Sequence, residues 1–216
     1  MNQIRKMIDG TVDDSIYRRI GWMYVSYVLI LVPVTVLSCF LLPEGILRGR
    51  NPAVSALDLS PNLWASALQI FGYNLIPTSL IICGNLIAQK SRISKERFVP
   101  VGYTAFWVIT FMWGLYLGTW SFEVVTEAPP LYLRLVRGFD VLHYAGFYEL
   151  SAYLLAAVVS FRFTLWYSDG KELVSSKKWA DVSLSGAEKI AFALVFVLLF
   201  AGAFIESYGI INLAGG

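Results

Sequence analysis

VLHYAGFYELSAYLLAAVVSFRFTLW, residues 141–166, is the stretch that decides the fold class. It is long enough to cross a bilayer, because about 20 apolar residues rising ~1.5 Å each span the hydrocarbon core. Within it stand the chain's only histidine, His143, a carboxylate, Glu149, and Arg162 near the far end. An ionisable side chain at mid-bilayer costs on the order of 3 kcal/mol or more. Glu149 therefore implies a protein environment that offsets this cost, and the remainder of the chain is read as that environment.

Composition points the same way. The chain of 216 residues is 57% hydrophobic and 15% charged, with a mean hydropathy of +0.62. A soluble domain has roughly 45–50% apolar and about 25% charged residues, so this chain falls in the membrane class. Its 7 Trp, 12 Tyr and 14 Phe suit interfacial belts and lipid-facing surface. A net charge of only +2 gives no reason to expect a nucleic-acid partner. The two cysteines, Cys39 and Cys83, fall in apolar segments expected near opposite membrane faces, which predicts two buried thiols rather than a disulfide.

Outward from residues 141–166, the expected fold is all-α: a polytopic helix bundle of about five spans at residues 21–42, 62–88, 98–125, 141–166 and 187–211. Residues 1–20 form a separate cytoplasmic or interfacial helix, since Ile4, Ile8, Val12, Ile16 and Ile20 recur every fourth position, with a weak point at Gly10. Residues 21–216 make one transmembrane domain. Ser60-Pro61 reads as a helix start, and Pro77 inside the second span removes a backbone donor and predicts a kink. In the third span, Gly114 and Gly118 have the small-xxx-small spacing that lets helices approach closely. Residues 131–139 suggest a short amphipathic piece along the outer surface. Ser185-Gly-Ala-Glu188 matches a capping box at the start of the fifth span.

Basic residues set the expected orientation. Arg5, Lys6, Arg18, Arg19, Lys90, Arg92, Lys95, Arg97, Arg162, Lys171, Lys177, Lys178 and Lys189 fall on one side, thirteen of the 17 Lys and Arg. That predicts a cytoplasmic N-terminus and an external C-terminus in the cell membrane.

The second and fourth spans then run in the same direction. Asn74 lies about twelve residues into one and Glu149 about eight into the other, which at ~1.5 Å per residue places them within a helical turn of equal depth. A shared polar patch of Asn74 and Glu149 is expected, with Pro77 close by and His143 near the outer end. Glu149 has three competing readings: a structural carboxylate bonded to a neighbouring helix, an ion or proton site, or a catalytic group of an intramembrane hydrolase. His143 and Glu149 point about 120° apart on an unbroken helix, so they share no metal unless Gly146 breaks it. With a single histidine, no zinc site is expected. The chain carries no Walker motif, no GxGxxG and no GxSxG, so neither a cofactor nor ATPase, kinase or serine-hydrolase chemistry is expected.

Three of these segments resemble one known family. Gly146-Phe-Tyr-Glu149-Leu-Ser-Ala152 is similar to the Gly-x-x-Glu-Leu-Pro-Ala signature of the stage II sporulation protein M family. Phe71-Gly-Tyr-Asn74-Leu resembles that family's asparagine-bearing helix, and Gly114-Leu-Tyr-Leu-Gly118 its Asn-Gly-x-x-x-Gly segment. The resemblance covers residues 69–163. The chain departs from the pattern at Ala145, where histidine is frequent, at Ser151, where proline is usual, and at Trp113, where asparagine is common. The resemblance implies a multi-pass protein without catalysis of its own, acting as a subunit or scaffold of a membrane complex. Asn74, Gly114, Gly118, Gly146 and Glu149 would pack and bond its helices. Its partners would be the lipid bilayer and other integral membrane proteins or further copies of itself. The alternative from another class is a transport protein, or the permease subunit of an exporter, with its polar site at Glu149.

Overall fold

A computed structural model describes residues 2–50, 59–94, 97–122 and 128–214; the side chains of Asn2, Phe139, His143, Tyr144, Leu213 and Ala214 lie outside this description. So do Lys95 of the basic connector and residues 123–125, where the third span was expected to end.

The elements run α1 (Asn2–Thr11), α2 (Ile16–Leu41), α3 (Leu63–Gly84), β1 (Ile87–Lys90), β2 (Phe98–Pro100), α4 (Val101–Thr119), α5 (Leu131–Val141), a π-helical turn (Leu142–Gly146), α6 (Phe147–Ser160), a 3-10 turn (Phe161–Phe163), β3 (Trp166–Ser168), β4 (Leu173–Ser175), a second 3-10 turn (Trp179–Asp181) and α7 (Gly186–Ala214). Four helices, α2, α3, α4 and α7, are long and apolar enough to cross a membrane.

Several expectations are corrected. The fold is mostly helical but not all-α, because a sheet ordered β2-β1-β3-β4 sits in the connectors. The second span stops at Gly84 instead of residue 88, and the third starts at Val101 instead of residue 98. The intervening Ile87–Lys90 and Phe98–Pro100 pair with each other and then with β3. Strands of three or four residues are too short to show an alternating period, so apolar Ile87 and Ala88 read as more helix. The fourth span is likewise not one regular helix over residues 141–166. Helical structure begins at Leu131, passes through the π turn and ends at Ser160, leaving α6 with only 14 residues.

The chain forms two compact units. The first comprises Met1–Tyr27, Leu75–Val108 and Ser151–Val197. Here α1 carries the buried Ile8, and Val12 and Ile16 beyond it are buried too, whereas Ile4 is exposed. Gly10 does not break α1; a Cβ there would run into the Trp22 ring. Arg19 is fully buried, with Nη2 2.6 Å from Glu188 Oε1 and Nη1 donating to the carbonyls of Asp13 (2.9 Å) and Asp14 (3.0 Å). Glu188 Oε1 also accepts from Arg162 Nε at 2.9 Å, and its Oε2 accepts the Ser185 amide at 2.9 Å, the capping-box contact. Asn85, fully buried, donates to Ala157 O (2.8 Å) and Ser160 Oγ (2.7 Å), which ties the end of α3 to the end of α6. The sheet belongs to this unit. Its two hairpins, β1–β2 and β3–β4, are each antiparallel and join through parallel β1 and β3, with Ile87 opposite Trp166.

The second unit comprises Val28–Asn74, Ile109–Leu150 and Leu198–Gly216. Gly114 and Gly118 of α4 lie against α2. A Cβ on Gly114 would stand 2.8 Å from Val34 Cγ1, and one on Gly118 would meet Ser38 Oγ, Thr35 O and, at 2.9 Å, Cys39 N. Helix association in a bilayer lacks a hydrophobic driving force, so such close backbone approach supplies dispersion contact in its place. On α5, Arg134 Nη2 stands 2.7 Å from Glu44 Oε2.

The cysteine expectation is half corrected. Cys39 is buried, but Cys83 lies on the open face of α3.

Candidate functional site

The site is built from three helices of the second unit. Asn74 comes from α3, Glu149 from the first turn of α6 and Glu206 from α7. Asn74 Nδ2 donates to Glu149 Oε1 at 2.6 Å, and the carboxyl group of Glu206 is the neighbouring acid of Glu149. Glu149 is only 6% exposed.

Local packing explains why these groups meet. Phe71 stacks edge-on against Phe200 at 5.9 Å, and Trp64 packs on Phe204 at 5.2 Å, while Ser207 Oγ donates to Leu63 O at 3.1 Å. These contacts align α3 with α7. Gly202 then lets α6 approach: a Cβ there would lie 3.2 Å from Tyr148 Cβ and 3.4 Å from Glu149 Cγ. Glu206 follows Gly202 by four residues, so it projects from the same side of α7 one turn on. Gly146 stands in the π turn before Glu149, where a Cβ would come 2.8 Å from the Trp113 ring.

The chemistry of the cluster follows from its donors. Asn74 brings an amide donor. Glu149 and Glu206 bring two carboxyl groups, which can accept hydrogen bonds and, when protonated, donate them. Such a cluster can fasten helices. It can also take up or release a proton if a path reaches it.

The structure thus brings Asn74 and Glu149 together. Pro77 lies inside α3, three residues past Asn74. His143 sits on the π turn, and its side chain lies outside the described residues. Among the described residues no group of three His, Cys, Asp or Glu could hold a metal ion. Sequence reasoning missed Glu206. The available signal was an acidic residue deep in the apolar run of residues 187–211, placed four after a glycine.

The chain matches no protein-family model, and neither curated proteins nor solved structures give a match to it.

Proposed function

We propose that this chain is a non-enzymatic, multi-pass protein of the cell membrane that serves as a subunit or scaffold of a larger membrane assembly. In this reading the α5–π–α6 run is a fifth crossing beside α2, α3, α4 and α7, with the N-terminus cytoplasmic and the C-terminus outside. The kinship with the stage II sporulation protein M family belongs to the same proposal and rests on the segments around Asn74, Gly114 and Glu149.

One observation carries the reading: the polar groups are turned onto one another, and the groove that stays open on α3 is apolar. Asn74 is bonded to Glu149, and Glu206 is its acidic neighbour, all three on different helices. The flank of α3 instead bears an open apolar groove of about 330 Å³ lined by Leu75, Ile76, Ser79, Leu80 and Cys83, none of them members of the cluster. Exposed apolar flanks in a bilayer are where further helices dock, through dispersion contacts. The test is purification in a gentle detergent followed by mass spectrometry. Stoichiometric membrane partners support the reading. A lone monomer that moves an ion in liposomes overturns it.

The contact between Glu149 and Glu206 favours a second reading, a proton-linked transport protein, because intramembrane carboxyl pairs serve as proton relays. Proton flux in liposomes that is abolished by both Glu149→Gln and Glu206→Gln would select it.

A further inference from the structure

We propose that the turn after β4 and the first turns of α7 form a binding site for an anionic phospholipid, with its headgroup at Lys178 and Lys189 and an acyl chain along Phe192 and Phe196. The inference goes beyond the scaffold reading and requires only that α7 lies in a bilayer. It rests on an aromatic ladder with a basic rim. Trp179 is 58% exposed and its ring packs on Phe163 at 6.1 Å; Phe163 packs on Phe192 at 6.1 Å, and Phe192 on Phe196 at 5.4 Å. Phe196 is itself open on α7, 39% exposed.

Lys189 precedes Phe192 by three residues and Phe196 by seven, so it lies on the same side of the helix, about 10 Å nearer its start at ~1.5 Å per residue. Charge at one end and a strip of rings running away from it match an amphiphile with an acidic head. Tryptophan at the junction is the residue favoured at headgroup depth.

The two lysines are available for such a head. Neither makes an ion pair among the described residues. Of the neighbouring acids, Glu188 is held by Arg19, Arg162 and Ser185, while Asp181 Oδ2 accepts the Lys178 amide at 3.0 Å. Lys177 is not part of the site, because its Nζ donates to Arg162 O at 2.6 Å. At the far end of the hairpin, Asp169 Oδ1 accepts the amides of Lys171 and Glu172. Charge complementarity therefore selects an anionic lipid over a zwitterionic one.

The test uses the full chain in vesicles containing a phosphatidylglycerol or a phosphatidylcholine probe with a photoreactive acyl chain, followed by peptide mapping. The phosphatidylglycerol probe should label residues 179–197 several-fold more than its zwitterionic counterpart. The K178Q/K189Q variant, checked for helix content by circular dichroism, should lose roughly ten-fold of that labelling. Trp179→Ala should weaken labelling by both probes while the headgroup preference persists. Equal labelling by the two probes, or labelling spread evenly over all exposed helix faces, overturns the proposal and leaves the lysines to an acidic protein partner. Retained preference in K178Q/K189Q overturns it as well.

Discussion

Arg19 and Glu188 lie 169 positions apart in the chain, yet Nη2 and Oε1 approach to 2.6 Å with both side chains almost wholly shielded from solvent. A shielded ion pair adds little net stability over a well-packed apolar pair, but removing one partner strands the other. Arg19 is also packed over the Phe161 ring at 4.8 Å, so it cannot turn to water without unpacking α2.

Glu188→Leu alone should therefore cost about 3–5 kcal/mol, and Arg19→Met with Glu188→Leu should recover most of it. Arg162, at 33% side-chain exposure, can reorient to water in both variants. Equilibrium unfolding in mixed micelles reads the difference. If the double variant is no better than the single one, the pair is not the reason Arg19 tolerates burial.

A contrast between two glycines tests the close contact of α4 with α2. Gly118→Ala forces a methyl onto Ser38 Oγ and the Thr35 carbonyl, a clash of backbone as well as side chain, and should cost about 1–3 kcal/mol. Gly21, inside α2, has nothing within 4 Å of the place a Cβ would take. Gly21→Ala should stabilise by about 0.5–1 kcal/mol through the helix backbone alone. Unfolding midpoints that move in the same direction for both would argue against the packing described.

The sheet makes a prediction about dynamics. β1 is bonded on both sides, to β2 and to β3, whereas β4 is an edge with all three residues exposed. Hydrogen–deuterium exchange should show Ala88 and Gln89 amides exchanging at least about ten-fold more slowly than those of residues 173–175, since edge amides open without breaking the sheet. Similar rates would mean that the two hairpins do not join.

The helical plan was legible because apolar runs of bilayer length have few other readings, and the four helices α2, α3, α4 and α7 coincide with four of the runs. The meeting of Asn74 with Glu149 was legible for a related reason: each is a polar break in such a run, at similar depth. Glu206 satisfies the same criterion, but no motif surrounds it in its run. The sheet had no local signature. Ile87–Lys90 becomes a strand because Phe98–Pro100 and Trp166–Ser168 lie beside it, a tertiary cause that no window along the chain contains. The π turn at Leu142–Gly146 is similar: Gly146 marks a weak point in the sequence, but the close approach of Trp113 to it is a tertiary contact.

The account rests on Glu149 being held by protein groups, Asn74 first among them. A double-mutant cycle between Asn74→Ala and Glu149→Ala, followed by unfolding in mixed micelles, measures that hold directly. A coupling of about 0.5–1.5 kcal/mol is the predicted result, the range found for hydrogen bonds between helices in a membrane. Losses that add to within about 0.3 kcal/mol would contradict it, because residues in contact do not behave as independent sites.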